Sequence, residues 1–157
     1  MYSAWSIVSS HKIKNTSFTL TGYSISTVRT AFYIDGLKLM LDCGLPFNVN
    51  SEYVLITHGH SDHFYEVARV PDNCKKIIVP IEIKDKINEF LNLVRDINAS
   101  ECVIKDDFVM GLRPNEIFNL NGKKYFVETI KCYHSIPTIG YGIYQKVSKL
   151  KPEYQES

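Results

Sequence analysis

Residues 53–63 read Tyr53-Val-Leu-Ile-Thr-His58-Gly-His60-Ser-Asp62-His63, an apolar run that gives way to three histidines and an aspartate. Imidazole nitrogens and a carboxylate at this density form the donor set of a metal site. Val54, Leu55 and Ile56 have the bulk and branching of a short buried strand, and Gly59 is expected to let the backbone turn where that strand stops. In extended chain, residues two apart share a side, so His58 and His60 can hold one ion while Asp62 and His63, past the turn, reach a second. His134 follows a strand-like stretch and precedes Pro137, whose ring fixes the backbone of the loop. His11 lies in a polar segment and is expected to be solvated. No serine or cysteine stands beside a base, so covalent catalysis is not indicated.

The elements that must carry these groups can be read in order. Residues 18–25 and 30–34 have the branched and aromatic content of strands, Asp35-Gly36 supplies a hairpin turn, and 37–41 returns as the partner strand. Asp42 ends that strand, where capping a turn is one reading of it. Ser61 or Asp62 is placed to cap a short helix. Residues 76–80 form a short buried strand closed by Pro80. Ile83, Ile87, Leu91 and Val94 then recur every three or four positions among Lys84, Asp85, Lys86 and Glu89, which predicts a helix with its apolar stripe in the core. Asn121-Gly122 signals a hairpin within a stretch of short strands, 123–132 leads up to His134, and 141–147 is a last strand. Cys132 reads as a buried strand thiol and not as a further ligand, and Asp106-Asp107 as a solvated turn. The expected organisation is a polar lead-in (1–17), one α/β or α+β domain (18–148) and a basic tail (149–157).

Composition narrows the classes without choosing among them. A chain of 157 residues with 45% hydrophobic and 12% aromatic residues can bury a core. A net charge of +1 creates no global field for a polyanion, so a nucleic acid would have to be held by local groups. Cys43, Cys74, Cys102 and Cys132 show neither zinc-ribbon spacing nor the density of a disulfide scaffold, which fits free thiols in a reducing compartment. No signal-peptide core and no run approaching ~20 apolar residues is present. The expectation is an intracellular protein of cytoplasm or nucleus, neither secreted nor membrane-spanning.

Several segments, in order, carry a resemblance: Gly22-Tyr-Ser-Ile-Ser, Leu39-Met-Leu-Asp42-Cys-Gly44, Leu55-Ile-Thr-His-Gly-His-Ser-Asp-His63, Tyr133-His134-Ser-Ile-Pro137-Thr-Ile-Gly140-Tyr141 and Lys149-Leu-Lys-Pro-Glu-Tyr154. From about residue 18 onward the chain resembles the metallo-β-lactamase superfamily, and within it the short-form ribonuclease Z group, endonucleases that trim the 3′ trailer from precursor tRNA. It departs where the family continues its histidine motif with Gly-Gly-Leu-Pro and Phe64-Tyr65-Glu66-Val67 stands here. It also ends at Ser157, before the family's metal-bridging aspartate and last metal-binding histidine.

The resemblance implies the N-terminal part of an αββα sandwich: a mixed sheet with covering helices, one sheet face being left to a partner. It implies zinc, one or two ions, with His58, His60 and His134 on the first and Asp62 and His63 on an incomplete second. Asp42 would support the metal loop by hydrogen bonding, the alternative to its turn-capping role. Asp62 would accept the proton of a metal-activated water that cuts precursor tRNA, leaving a 3′-hydroxyl end. Lys146, Lys149 and Lys151 are possible phosphate contacts, although lysines near a chain end are also ordinary soluble surface. The partners implied are precursor tRNA and either a second copy of the chain or a chain supplying the C-terminal half. Two other readings compete with this nuclease. One is a catalytically incomplete module that binds one metal or a partner chain, and the other is a different hydrolase of the superfamily.

Overall fold

The computed structural model describes residues 8–46, 49–71, 73–99, 105, 107–120, 122 and 124–148. Seven strands form one sheet in sequence order: β1 (Ser9–Lys12), β2 (Thr19–Ile25), β3 (Arg29–Ile34), β4 (Leu39–Leu41), β5 (Tyr53–Leu55), β6 (Lys76–Pro80) and β7 (Val109–Leu112). Neighbours from β1 to β4 are antiparallel and from β4 to β7 parallel, so the sheet is mixed. The segment read as a lead-in thus contributes an edge strand, and His11 sits on it, exposed.

The change of direction follows from the connections. Tight turns such as the one at Gly36 (φ 83°) return the chain antiparallel, whereas α1 (Ser61–Phe64) with a following 3₁₀ turn, and α2 (Lys84–Ile97), carry it across the sheet between parallel strands. Side chains alternate between faces, and the buried ones sort accordingly. Ala31, Met40, Val54, Ile77, Val79 and Val109 pack on one face with Ile87 and Leu91 of α2. Ile34, Leu39, Tyr53, Leu55, Ile78 and Leu112 pack on the other.

That second face, expected to be open, is covered. Strands β8 (Ile117–Asn119), β9 (Tyr125–Lys131) and β10 (Ile139–Gln145) form an antiparallel sheet in the order β10-β9-β8. Leu120 and Val127, with Phe118, Tyr125, Tyr141 and Ile143, press onto the first sheet. The same period-two alternation that made these segments readable as strands gives them one apolar face, and the first sheet is what that face buries against. The outcome is a mixed α/β protein with helices on one side of the large sheet and a small sheet on the other.

Three local expectations are corrected. His60 occupies the N-cap of α1 without a side-chain cap, so Ser61 and Asp62 are its first helical residues instead of its caps. Gly59 has no left-handed φ, whereas Asp42 does (φ 55°), so the backbone at the histidine loop turns without glycine's freedom. Cys132 is exposed, because β9 ends at Lys131 and leaves it in the following loop. Cys43 and Cys74 are buried free thiols, burial pushing Cys74 up to about 12, while Cys102 and Asp106 lie outside the described residues. Asp107 is exposed and pairs with Lys76. Among the described residues no helix is long and apolar enough to cross a membrane.

Candidate metal centre

Parallel strands β4 and β5 end side by side, and the site is built on those ends. Beyond β4, Asp42 turns back, its N–H donating to the Leu55 carbonyl at 2.8 Å. Beyond β5, Ile56 N–H donates to the Ile78 carbonyl at 2.8 Å, holding the chain in register with β6 up to Thr57. The loop carrying His134 is fastened from the second sheet: Ile139 N–H donates to the Thr57 carbonyl at 3.0 Å, and Thr138 bridges His58. Sequence-distant histidines meet because both sheets end at the same place.

His58 Nε2 lies 3.0 Å from His60 Nδ1, which lies 3.3 Å from His134 Nε2. One nitrogen from each of the three falls within 4.8 Å of the others, so the cluster can hold a metal ion. Three converging ring nitrogens with no carboxylate among them match the donor chemistry of zinc and leave a tetrahedral position open. His58 is buried and His134 exposed, which puts the opening of the site on the His134 side.

Asp42 organises the inner wall. Its carboxylate accepts from Thr57 N–H at 2.7 Å and from the Thr57 hydroxyl at 3.0 and 3.1 Å, and His63 Nδ1 lies 2.7 Å from Oδ2. The Asp42 backbone turns in a left-handed conformation (φ 55°) while its carboxylate reaches into the histidine loop. His63 Nε2 faces Asp62 Oδ2 at 3.4 Å. With the Nδ1 proton given to Asp42, that pair presents lone pairs to each other, an arrangement that a shared proton or cation relieves. The structure therefore brings together all five predicted donors, in a group of three and a group of two.

Protonation follows from the same contacts. Burial, with the nearby His63, lowers the His58 pKa to about 4. The hydrogen bond to Asp42 raises His63, against the effect of its burial. In metal-free protein, neighbouring rings thus titrate apart.

Helix α1 is seated by contacts that sequence reasoning did not single out. Cys43 N–H donates to the His63 carbonyl, and Glu66 N–H to the Cys43 carbonyl at 3.0 Å. The buried Glu66 carboxylate accepts from Arg29 at 3.3 Å and Arg69 at 3.4 Å. Tyr141, quoted only as part of a motif, is partly buried, and its hydroxyl donates to the Ile56 carbonyl at 2.7 Å. A tyrosine on the inward face of β10 was the available signal. Beside Asp62, Val28, Arg29, Gly44, Ser61 and Tyr65 line a small open cleft.

The predicted phosphate contacts lie elsewhere. Lys146 follows β10, whereas His134 precedes it, and seven extended residues separate the two ends by about 20 Å. Lys146 Nζ instead bonds Asn119 Oδ1 at 2.9 Å and lies over Phe126. Lys149 and Lys151 lie outside the described residues.

Two facing sheets thus meet at one end, where a histidine loop at parallel strand ends receives a third histidine from the second sheet. No family model matches the chain. The chain is 30% identical over 146 residues to tRNase Z TRZ1 of Arabidopsis thaliana, covering 87% of this chain and 51% of that protein. It is 27% identical to the nuclear ribonuclease Z of Triticum aestivum, covering 87% of this chain and 81% of that one. Among solved structures, the metallo-beta-lactamase fold protein YhfI from Bacillus subtilis aligns with a TM-score of 0.47 at 13% identity, covering 78% of this chain and 53% of that one. By sequence, then, the chain is similar to tRNase Z and ribonuclease Z proteins at 27–30% identity. It spans about half the length of the first of these relatives.

Proposed function

We propose that this chain forms the zinc-holding part of a ribonuclease Z-type endonuclease that removes the 3′ trailer from precursor tRNA. The observation that supports it best is the convergence of His58 Nε2, His60 Nδ1 and His134 Nε2, with Asp62 and His63 beside them. The name of the Arabidopsis relative, tRNase Z, supports tRNA as the substrate class in this reading. Zinc held there would supply Lewis-acid polarisation of the scissile phosphate and of the attacking water. His58, His60 and His134 would hold the first ion in this reading, and Asp62 and His63 would contribute to a second completed by another chain or segment. Asp62 would accept the proton of the attacking water at its carboxylate. Asp42 would hold His63 by Nδ1, leaving Nε2 free to ligate.

The test combines elemental analysis with cleavage of a labelled precursor carrying a 3′ trailer, using the chain alone and with a supplied C-terminal half of a ribonuclease Z. About one zinc per chain is expected, together with cutting at the trailer boundary in the complemented sample. Asp62→Ala should lose activity by at least the ~10² to 10⁴ associated with a proton-transfer group. Zinc binding without cutting in any combination would replace this reading with the non-catalytic, metal-binding module.

A further inference from the structure

We infer that the hydroxyl of Thr57 is a positioning group for the metal centre: it links Asp42 to His58 and fixes which nitrogen of His58 faces the cluster. Thr57 Oγ1 is 3.0 and 3.1 Å from the two Asp42 oxygens and 2.8 Å from His58 Nδ1. A hydroxyl has one proton, and a carboxylate at hydrogen-bond distance can only accept it. Oγ1 is then left with lone pairs alone toward His58. The ring must answer with Nδ1–H, which leaves the lone pair on Nε2. Nε2 is the atom that points at His60 Nδ1 and converges with His134.

One carboxylate thereby orients a donor in each group, His63 directly through Nδ1 and His58 through the threonine. The main chain of Thr57 is engaged separately, its N–H by Asp42 at 2.7 Å and its carbonyl by Ile139 N–H at 3.0 Å. Replacing the side chain therefore removes the relay and leaves both backbone ties. Among the described residues no buried side-chain polar atom lacks a hydrogen bond, so no idle side-chain acceptor waits to take the His58 Nδ1 proton in place of Thr57. The inference rests on the metal reading for its consequence, while the tautomer can be read without any metal.

The test uses the 157-residue chain, its Thr57→Val and Thr57→Ser variants, zinc competed against a chromophoric chelator, and ¹⁵N NMR of the metal-free histidine rings above pH 7. Thr57→Val should bind zinc roughly 10- to 100-fold more weakly, the usual cost of losing a group that orients a ligand. Its metal-free melting temperature should stay near that of the wild type, and Thr57→Ser should restore affinity to within about threefold of it, the hydroxyl being the group that orients the ligand. His58 should carry its proton on Nδ1 in wild type and lose that preference in Thr57→Val. Unchanged zinc affinity in Thr57→Val, or a serine variant as weak as the valine, would overturn the inference. If the valine variant does not fold, the wild-type spectrum decides alone: a proton on His58 Nε2 overturns the assignment and one on Nδ1 supports it. A wild-type chain that shows the Nδ1–H tautomer yet binds no zinc defeats the proposed function and not the relay.

Discussion

A buried histidine and its neighbour respond to pH in opposite senses. Burial holds the His58 pKa at about 4, while unfolding returns it to about 6.5. Between those values the unfolded chain takes up a proton that the folded chain refuses, so His58 removes stability as pH falls from about 6.5 to about 4. His63 is raised by Asp42, so its contribution is complete below about 6.5 and fades as pH rises through the elevated value. In the metal-free protein, ring resonances followed by NMR should show His58 still neutral at pH 5 and His63 titrating above the ordinary histidine value. A His58 midpoint near 6.5 would contradict the burial argument. This ordering suits a metal centre, because His58 already has its lone pair where His63 still carries a proton.

At the scale of elements, the contact between the β4 end and α1 decides where Asp62 and His63 stand. A Cβ on Gly44 would come within 1.9 Å of the Asp62 carbonyl oxygen and 2.8 Å of Thr30 N, both of them backbone atoms that cannot rotate away. Gly44→Ala should therefore push α1 off the sheet, costing about 1–3 kcal/mol as other overpacked sites do and weakening zinc binding through displaced donors. Gly59 sits inside the histidine motif but has only Ile83 at 3.8 Å and an ordinary φ, so Gly59→Ala should melt within a degree or two of the wild type. Chemical denaturation of the pair separates the two cases, and equal losses would show that the close approach at Gly44 is relieved by local movement. The contrast marks what was legible in the sequence. Histidine spacing and the apolar run before it were readable because they are local, and so was the stripe of α2. Gly44's close approach depends on a helix folding back from residue 62, and Thr57's relay on a carboxylate fifteen residues away, relations that no periodicity reports.

Across the whole molecule, the two sheets must stay in register at one end for His134 to meet His58, and one side chain spans them there. Strand content in 117–145 was readable from alternation, but not its landing on the first sheet, because an apolar strand face does not state which surface will cover it. Tyr141 records that landing. From β10 its hydroxyl donates to the Ile56 carbonyl at 2.7 Å and also lies 3.2 Å from the Ile78 carbonyl, 85 and 63 residues away in the chain. Ile78's carbonyl keeps its bond from Ile56 N–H if the hydroxyl is removed, whereas the Ile56 carbonyl faces a buried and apolar surrounding. Tyr141→Phe keeps the ring and its packing and should cost about 1–3 kcal/mol, the desolvation penalty of an acceptor left unmatched. For a chain of this size that corresponds to a drop of roughly 2–10 °C in melting temperature. Ile56 immediately precedes Thr57, so the loosened carbonyl lies one peptide from the metal loop, and zinc affinity should fall by several-fold in the same variant, within the range seen when supporting hydrogen bonds are lost. Calorimetry and the chelator competition, run on Tyr141→Phe beside wild type, would show both effects together if the second sheet positions His134 through this bond. A variant that melts lower but binds zinc unchanged would confine Tyr141 to stability and leave the Ile139 to Thr57 backbone bond as the tie that places the third histidine.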